Sequence, residues 1–307
     1  MHQKLSVLFL PLAVCVCISS SAQEGAIGRW DLTFDLNGRE GPGWLEIEQS
    51  GNQALVGRIM VLGGSARPIA EVKVAGNKMH FIIPPQWDSG KDFRFQFTLE
   101  NDMLKGRMKD AKGRTRSWTG VRAPELKRDK DPAWGEPIPL FNGKDLSGWH
   151  HSGETKQWKA ENGILVNPSS GSNLITDAKF DDFKLHLEFR YPKGSNSGVY
   201  LRGRYEVQIS DDIGKLPNSH LLGGVYGMLE PNEMVAKAPG EWQVYDITLI
   251  GRKITVVANG ETIICDQVIP GITGGALDSK EAEPGPIYLQ GDHGAIEYRN
   301  IVLTPGK

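Results

Sequence analysis

Apolar and polar residues alternate along most of this chain, in short runs. Between residues 28 and 121 the alternating runs predict strands at 30–36, 43–49, 54–61, 69–74, 78–83, 93–99, 103–108 and 115–121. Turn residues separate many of them: Asn37-Gly38, Ser50-Gly51-Asn52, Gly76-Asn77, Asn101-Asp102 and Lys112-Gly113. Gly and Asn there supply the positive φ that tight hairpins need. Consecutive strands joined this way predict an up-and-down meander, a small barrel or curved sheet of about eight strands.

A charged, Pro-containing segment at 123–137 reads as a linker between an accessory domain at 23–122 and a second domain at 138–307. In the second domain, strands are expected at 158–161, 164–167, 173–176, 183–191, 242–250, 253–258, 261–266, 286–290 and 295–303. Two Gly-rich loops, 213–240 and 271–286, interrupt the series, and loops of that length in a compact domain usually serve function. No stretch predicts a helix of more than a turn or two. The whole chain therefore reads as all-β, with the second domain a two-sheet sandwich.

The stretch at 195–212, SNSGVYLRGRYEVQISDD, carries the clearest pattern. Val199, Leu201, Tyr205, Val207 and Ile209 are one face of a strand. Tyr200, Arg202, Arg204, Glu206 and Gln208 fall on the other, because side chains alternate sides. Gly203 is expected as a bulge or a close backbone approach. A row of cation, carboxylate and amide suits either a groove for a polyhydroxylated ligand or a solvated, ion-paired sheet face.

Composition narrows the classes. The chain has 307 residues and a net charge of −2, so no electrostatic footprint for nucleic acid. Residues 1–22 read as a signal peptide: Lys4, an apolar core at 5–18, and Ser20-Ser21-Ala22 as the cleavage site. Its apolar run is too short to span a bilayer, and Val14 before Cys15 fits a lipoprotein signal poorly. A secreted or periplasmic location follows. Cys265 is then the sole cysteine of the mature chain, which leaves no internal disulfide. In the first domain, Trp44, Trp87 and Asp88 are either a sugar platform or, for the tryptophans, core packing.

The opening LFNGKDLSGW, the run GSNSGVYLRGRYEVQISD, the hairpin EWQVYDITLIGRKITVVANG and the ending GPIYLQGDHGAIEYRNIVL together resemble the 3-keto-disaccharide hydrolase family, over about residues 139–303. The resemblance implies a concanavalin-like jelly roll and cleavage of sugars whose 3-hydroxyl is already a ketone. The N-terminal meander lies outside it. A ketone at C3 acidifies the C2 proton, so a base at C2, β-elimination of the C1 group and addition of water form one route. That route needs a base, a donor to the C3 oxygen and an acid for the leaving group. Ordinary glycoside hydrolysis instead needs two carboxylates about 5–10 Å apart.

Glu206 is the first candidate for the base, His293 in the turn Gly291-Asp292-His293-Gly294 for acid or base, and Arg204 for stabilising the enediolate. Arg202, Gln208, Lys237, Trp242 and Gln290 are candidates for holding substrate. A divalent metal is a further option, with Glu206, Asp211, His220 and Asp292 as scattered candidate ligands and no compact motif. No strand–GxGxxG–helix unit points to a nucleotide cofactor. A separate sugar 3-oxidoreductase would then supply the oxidised glycoside. A non-catalytic glycan-binding module and a conventional glycoside hydrolase are the competing readings.

Overall fold

The computed structural model of the chain describes residues 24–87 and 90–307. The expected leader at 1–22 and Asp88 lie outside the described residues.

Nine antiparallel strands form the N-terminal sheet: β1 (Gly28–Asp35), β2 (Glu40–Ser50), β3 (Ala54–Val61), β4 (Gly63–Ile69), β5 (Lys73–Ala75), β6 (Lys78–Ile83), β7 (Phe93–Glu100), β8 (Met103–Lys109) and β9 (Thr115–Arg122). The order is β4-β3-β2-β1-β9-β8-β7-β6-β5, a meander whose first and last strands pair at its centre. The sheet curls, and its inner face buries Trp30, Leu32, Phe34, Phe81, Phe95, Phe97 and Trp118. The strand expected at 69–74 does not form as one. Ile69 ends β4, residues 70–72 cross to β5, which takes Lys73 and Val74, and β4 itself runs earlier, over Gly63–Ile69. Its Gly63-Gly64-Ser65 start has no apolar alternation to reveal it, and pairing with β3 (Gly57↔Ile69, Ile59↔Arg67) sets it instead.

The C-terminal strands are β10 (Ile138–Pro139), β11 (Trp149–His151), β12 (Lys159–Glu161), β13 (Ile164–Asn167), β14 (Leu174–Thr176), β15 (Phe183–Arg190), β16 (Asn196–Leu201), β17 (Tyr205–Ser210), β18 (Gln243–Ile250), β19 (Lys253–Ala258), β20 (Glu261–Val268), β21 (Tyr288–Leu289) and β22 (Ile296–Pro305). One sheet has the order β12-β13-β22-β15-β18-β19-β20, with β10 on β22. The other runs β11-β14-β21-β16-β17. Their inner faces close over one core that includes Leu185, Leu187, Phe189, Val199, Val207, Ile209, Tyr245, Ile247 and Leu303. Alternation supplies this core: β15 reads buried at every second residue, Phe183, Leu185, Leu187 and Phe189. The result is the all-β jelly-roll sandwich.

The N-terminal sheet packs on the sandwich. Trp44 and Met60 belong to the sandwich core, and Gly271 lies against the Trp44 indole, where a β-carbon would overlap it. Trp44 is therefore core and not a sugar platform. Behind it, Asp31 and Glu281 share a buried hydrogen bond, and Glu281 also takes Tyr205 Oη (2.5 Å) and Arg252. Burial, then the charge and hydrogen bond of Glu281, push the Asp31 carboxyl up to about 9, against the pull of Arg252 and Arg204. The 123–137 segment is docked along the sandwich: Arg128 pairs with Asp182 and Asp181, both at 2.8 Å, and Lys184 sits 4.6 Å over the Trp134 ring.

Candidate active site

The stretch at 195–212 is a hairpin and not one strand. Leu201 pairs with Tyr205 across a three-residue turn, Arg202-Gly203-Arg204, with φ of 52° at Arg202 and 65° at Gly203. An odd loop preserves side-chain parity. Val199 and Leu201 on the way out and Tyr205, Val207 and Ile209 on the way back all point into the core. The alternation thus runs unbroken through the reversal.

This corrects the expected row. Arg202 and Arg204 sit in the turn, 1% and 2% exposed, and neither lines the cleft. Arg202 binds Asp181 (2.7 Å) and Tyr205 Oη (3.0 Å). Arg204 binds Asp278 (2.7 Å) and the Glu283 carbonyl (2.8 Å). The Thr273 and Leu277 amides also bond the backbone carbonyls of Arg204 and Gly203. Arg204 ties the 271–286 loop over the hairpin tip, and Arg202 ties the tip to Asp181 and Tyr205.

What remains on the outer face is a cluster. Tyr200 pairs with Glu206, and Gly198 with Gln208. Tyr200, Glu206 and Gln208 open on a cleft of about 270 Å³ that also receives Asn196, Tyr226, Gly274, Gly275, Tyr288, Gln290, Asp292 and His293. Glu206 is 3% exposed. Its carboxyl occupies the space that a side chain at residue 198 would fill; a β-carbon on Gly198 would overlap Oε1. Tyr200 Oη lies 2.9 Å from Glu206 Oε2 and 2.9 Å from the Gly274 carbonyl. A phenol has one proton to donate, and a carbonyl can only accept. With the phenol donating to Gly274, the contact with Glu206 requires the carboxyl to carry the proton. Burial points the same way. It pushes Glu206 up to about 8, although the Tyr200 hydrogen bond and the His293 charge pull it down. Gln208, with its amide oriented by the network, donates to Glu206 Oε1 (3.2 Å) and the Ser197 carbonyl (3.0 Å) and accepts from Asn196 (3.0 Å).

Across the cleft, His293 Nδ1 lies 2.6 Å from Asp292 Oδ1, and that bond raises the imidazole above its ordinary range. Both side chains are about half exposed. The turn that carries them is pinned: Asn167 Nδ2 donates to the Gly291 (3.1 Å) and Gly294 (2.7 Å) carbonyls, and the Gly291 amide to Asn173 Oδ1 (2.7 Å). Tyr288 stacks on Tyr200 with centroids 4.2 Å apart, and its hydroxyl accepts from Asn173 Nδ2 (2.7 Å). Gln290 Oε1 is buried in the cleft wall without a partner among the described residues. An unpaired buried acceptor there is costly, and a ligand hydroxyl would satisfy it.

The structure separates the other candidates from this cleft. Lys237 donates to the Trp242 carbonyl (3.2 Å), and Arg299 and Arg190 cover the Trp242 ring at 4.0 and 4.7 Å, beside the eight-stranded sheet. Neither Lys237 nor Trp242 lines the cleft, because the chain entering β18 leaves from the other sheet. Asp211 accepts from the Gly194 amide (2.9 Å), a turn-forming role. His220 packs edge-on to Tyr226 at 5.0 Å. Among the described residues no three His, Cys, Asp or Glu gather into a ligand set, so the donors present do not fit a metal.

Several cleft residues were not among the site candidates. Tyr200 stands on the outer face where alternation placed it, and Tyr288 stacks on it there. Tyr226 comes from the 213–240 loop, whose residues 223–226 add along β17 through bonds from the Gly223 amide to the Gln208 carbonyl and from the Tyr226 amide to the Glu206 carbonyl. Gly63 and Gly64 arrive from the N-terminal sheet, which no local pattern announces, and Trp87, named from the sequence as either sugar platform or core, is exposed at the cleft and not core.

The comparisons concern the C-terminal part. The family described as 3-keto-alpha-glucoside-1,2-lyase-like domain matches residues 136–304, more than half of the chain. A Bacteroides thetaiotaomicron protein named 3-keto-disaccharide hydrolase is 24% identical over an alignment of 166 residues, with 41% of this chain covered. The chain spans 57% of that curated relative's length. Two solved structures from Parabacteroides distasonis, each described as a candidate glycosyl hydrolase, are also similar. One is 31% identical, with a TM-score of 0.48, over 56% of this chain and 84% of the other. The second is 27% identical, with a TM-score of 0.44, over 55% and 98%. Through residues 136–304 the chain belongs to the 3-keto-alpha-glucoside-1,2-lyase-like domain family.

Proposed function

We propose that the cleft cleaves glycosides whose C3 is a ketone, by removing the C2 proton and expelling the C1 group. The observation that carries this reading is the pairing of a buried Glu206, held near pKa 8, with the His293–Asp292 pair in the same cleft. A carboxylate of that basicity is a far stronger base than an exposed one and matches a C–H acidified by a neighbouring ketone. An imidazole raised by Asp292 is suited to protonating the departing oxygen.

In this scheme Glu206 takes the C2 proton, and the electron pair moves onto the C3 oxygen as an enediolate. Tyr288, whose hydroxyl accepts from Asn173, has its own proton to offer that oxygen. The enediolate re-forms the ketone as the C1–O bond breaks, and His293 protonates the leaving alcohol. Water then adds at C1 of the enone, and C2 regains a proton. Gln290 Oε1 accepts from a ring hydroxyl. Asp292 is committed to His293, which leaves no second free carboxylate among the described cleft residues for ordinary glycoside hydrolysis.

The protein would be secreted or periplasmic, with the ketone installed by a separate sugar 3-oxidoreductase. Incubation with a chromogenic 3-keto-glucoside and with its unoxidised parent tests the reading. Release from the keto form alone is expected. Equal release from both would indicate conventional glycosidase chemistry, and binding without release would indicate a glycan-binding module.

A further inference from the structure

The N-terminal sheet lies outside the matched family domain, yet it reaches the cleft. Gly63 and Gly64, at the start of β4, form a ledge against Gly274, where a β-carbon would overlap the Gly64 backbone. Ser65 abuts Gly227 of the long loop. The ledge holds the 84–87 segment through Gln86, whose Nε2 donates to Ser65 Oγ (3.1 Å) and whose Oε1 accepts from the Ser65 amide (3.3 Å). Trp87 follows directly. Its ring edge lies over Gly64, where a β-carbon would come within 2.6 Å of Cη2, and the residue is 74% exposed. A tryptophan so exposed, on a fixed support, at the rim of a polar cleft has an apolar face that the described residues leave largely uncovered.

Cleft size says what covers it. At about 270 Å³ the cavity falls just below the range of about 300–1,000 Å³ that encloses drug-sized ligands. It suits one sugar ring. A unit attached at C1 of that ring would extend towards the exposed rim, where Trp87 stands with Gly63 and Gly64. Pyranose rings present a face of C–H groups, and aryl rings a flat apolar face; both stack on indole.

We propose that the N-terminal sheet supplies a leaving-group subsite, with Trp87 on the Gly63–Gly64 ledge as the stacking wall for a ring attached at C1 of the sugar held in the cleft. The proposal rests on the keto-glycoside reading for the identity of the sugar. The subsite would make the chain selective for glycosides whose leaving unit is itself a ring.

The test compares phenyl and methyl 3-keto-glucosides, in both anomers. Turnover is measured with wild type, Trp87→Ala and Trp87→Phe. Binding is measured by calorimetry with Glu206→Gln and the double variant Glu206→Gln/Trp87→Ala. Trp87→Ala is expected to lower the phenyl-over-methyl preference in kcat/KM by a few-fold to about tenfold, mostly through KM, with Trp87→Phe restoring part of it. Phenyl binding to Glu206→Gln should weaken by a similar factor in the double variant. An unchanged preference together with unchanged binding overturns the subsite, as does absence of phenyl binding. Binding that depends on Trp87 without turnover by wild type sustains the subsite and sinks the keto-glycoside reading instead.

Discussion

Tyr200 and Glu206 face each other across the β16–β17 hairpin, phenol oxygen to carboxyl oxygen at 2.9 Å, with the Gly274 carbonyl at the same distance from the phenol. One proton on Tyr200 cannot serve both acceptors, so the pair is a proton switch. With Glu206 neutral, Tyr200 serves Gly274. With Glu206 ionised, the phenol turns to the carboxylate.

The pH dependence of turnover follows from that switch. With Glu206 as base, kcat/KM should rise with pH through about 8, and Glu206→Gln should lose about 10²–10⁴-fold. Tyr200→Phe removes a donor that stabilises the ionised form, so its rising limb should move to higher pH. A rising limb in the ordinary carboxylate range, unmoved in Tyr200→Phe, would remove Glu206 from the base role.

The same carboxyl lowers stability at high pH. Its folded-state pKa lies above the unfolded value of about 4.3, so the folded chain holds a proton that the unfolded chain has shed. Stability is full below the unfolded pKa and declines as pH rises towards 8. Glu206→Gln should therefore melt higher than wild type at pH 9 and gain less at pH 5. Asp31→Asn should behave alike, with its decline extending to about pH 9, and should keep full turnover because Asp31 lies outside the cleft. Melting curves that stay parallel at both pH values would refute the raised values.

His293 is assigned to the leaving oxygen, and that role depends on the leaving group. His293→Asn should cost about 10²-fold or more with an alkyl or sugar leaving group. It should cost much less with nitrophenol, which departs without a proton. Equal losses on both would place His293 elsewhere in the reaction.

Gly198 is required by volume. A methyl there meets the Glu206 carboxylate on a buried sheet face, so Gly198→Ala should displace the carboxylate, cut turnover about 10²-fold and destabilise by about 1–3 kcal/mol. Arg204→Ala should do the reverse in emphasis. It loosens the 271–286 loop and takes from Asp278 its ion pair, leaving only the Lys280 amide, so thermal stability falls while the pH profile keeps its shape. Full activity in Gly198→Ala would contradict the packing described at Glu206.

Much of this site was legible along the chain, and the misreadings have physical reasons. Period-2 alternation placed Glu206 and Gln208 on one outward face, because strand parity is local. The same parity hid the reversal at Arg202-Gly203-Arg204, since an odd turn leaves alternation intact, and so put two structural arginines into the expected row. Lys237 and Trp242 stood near promising loops, but only the sheet order shows that they leave from the other sheet. Asp211 has the chemistry of a ligand and the geometry of a turn, which composition cannot separate. Tyr226 and Gly63 depend on long-range packing, and the Gly63-Gly64 ledge carries no periodic signal of its own; Trp87 stood out by residue type, but residue type could not separate a platform from core.

The most direct measurement is turnover of a 3-keto-glucoside in D₂O, with the released sugar read by NMR at early times against a control of the same sugar incubated without protein. Removal and return of the C2 proton predicts one deuterium at C2 of the product, formed at the rate of release and abolished in Glu206→Gln. Product that keeps its original hydrogen at C2 while the glycosidic bond is cleaved would contradict the elimination route and return the cleft to direct hydrolysis.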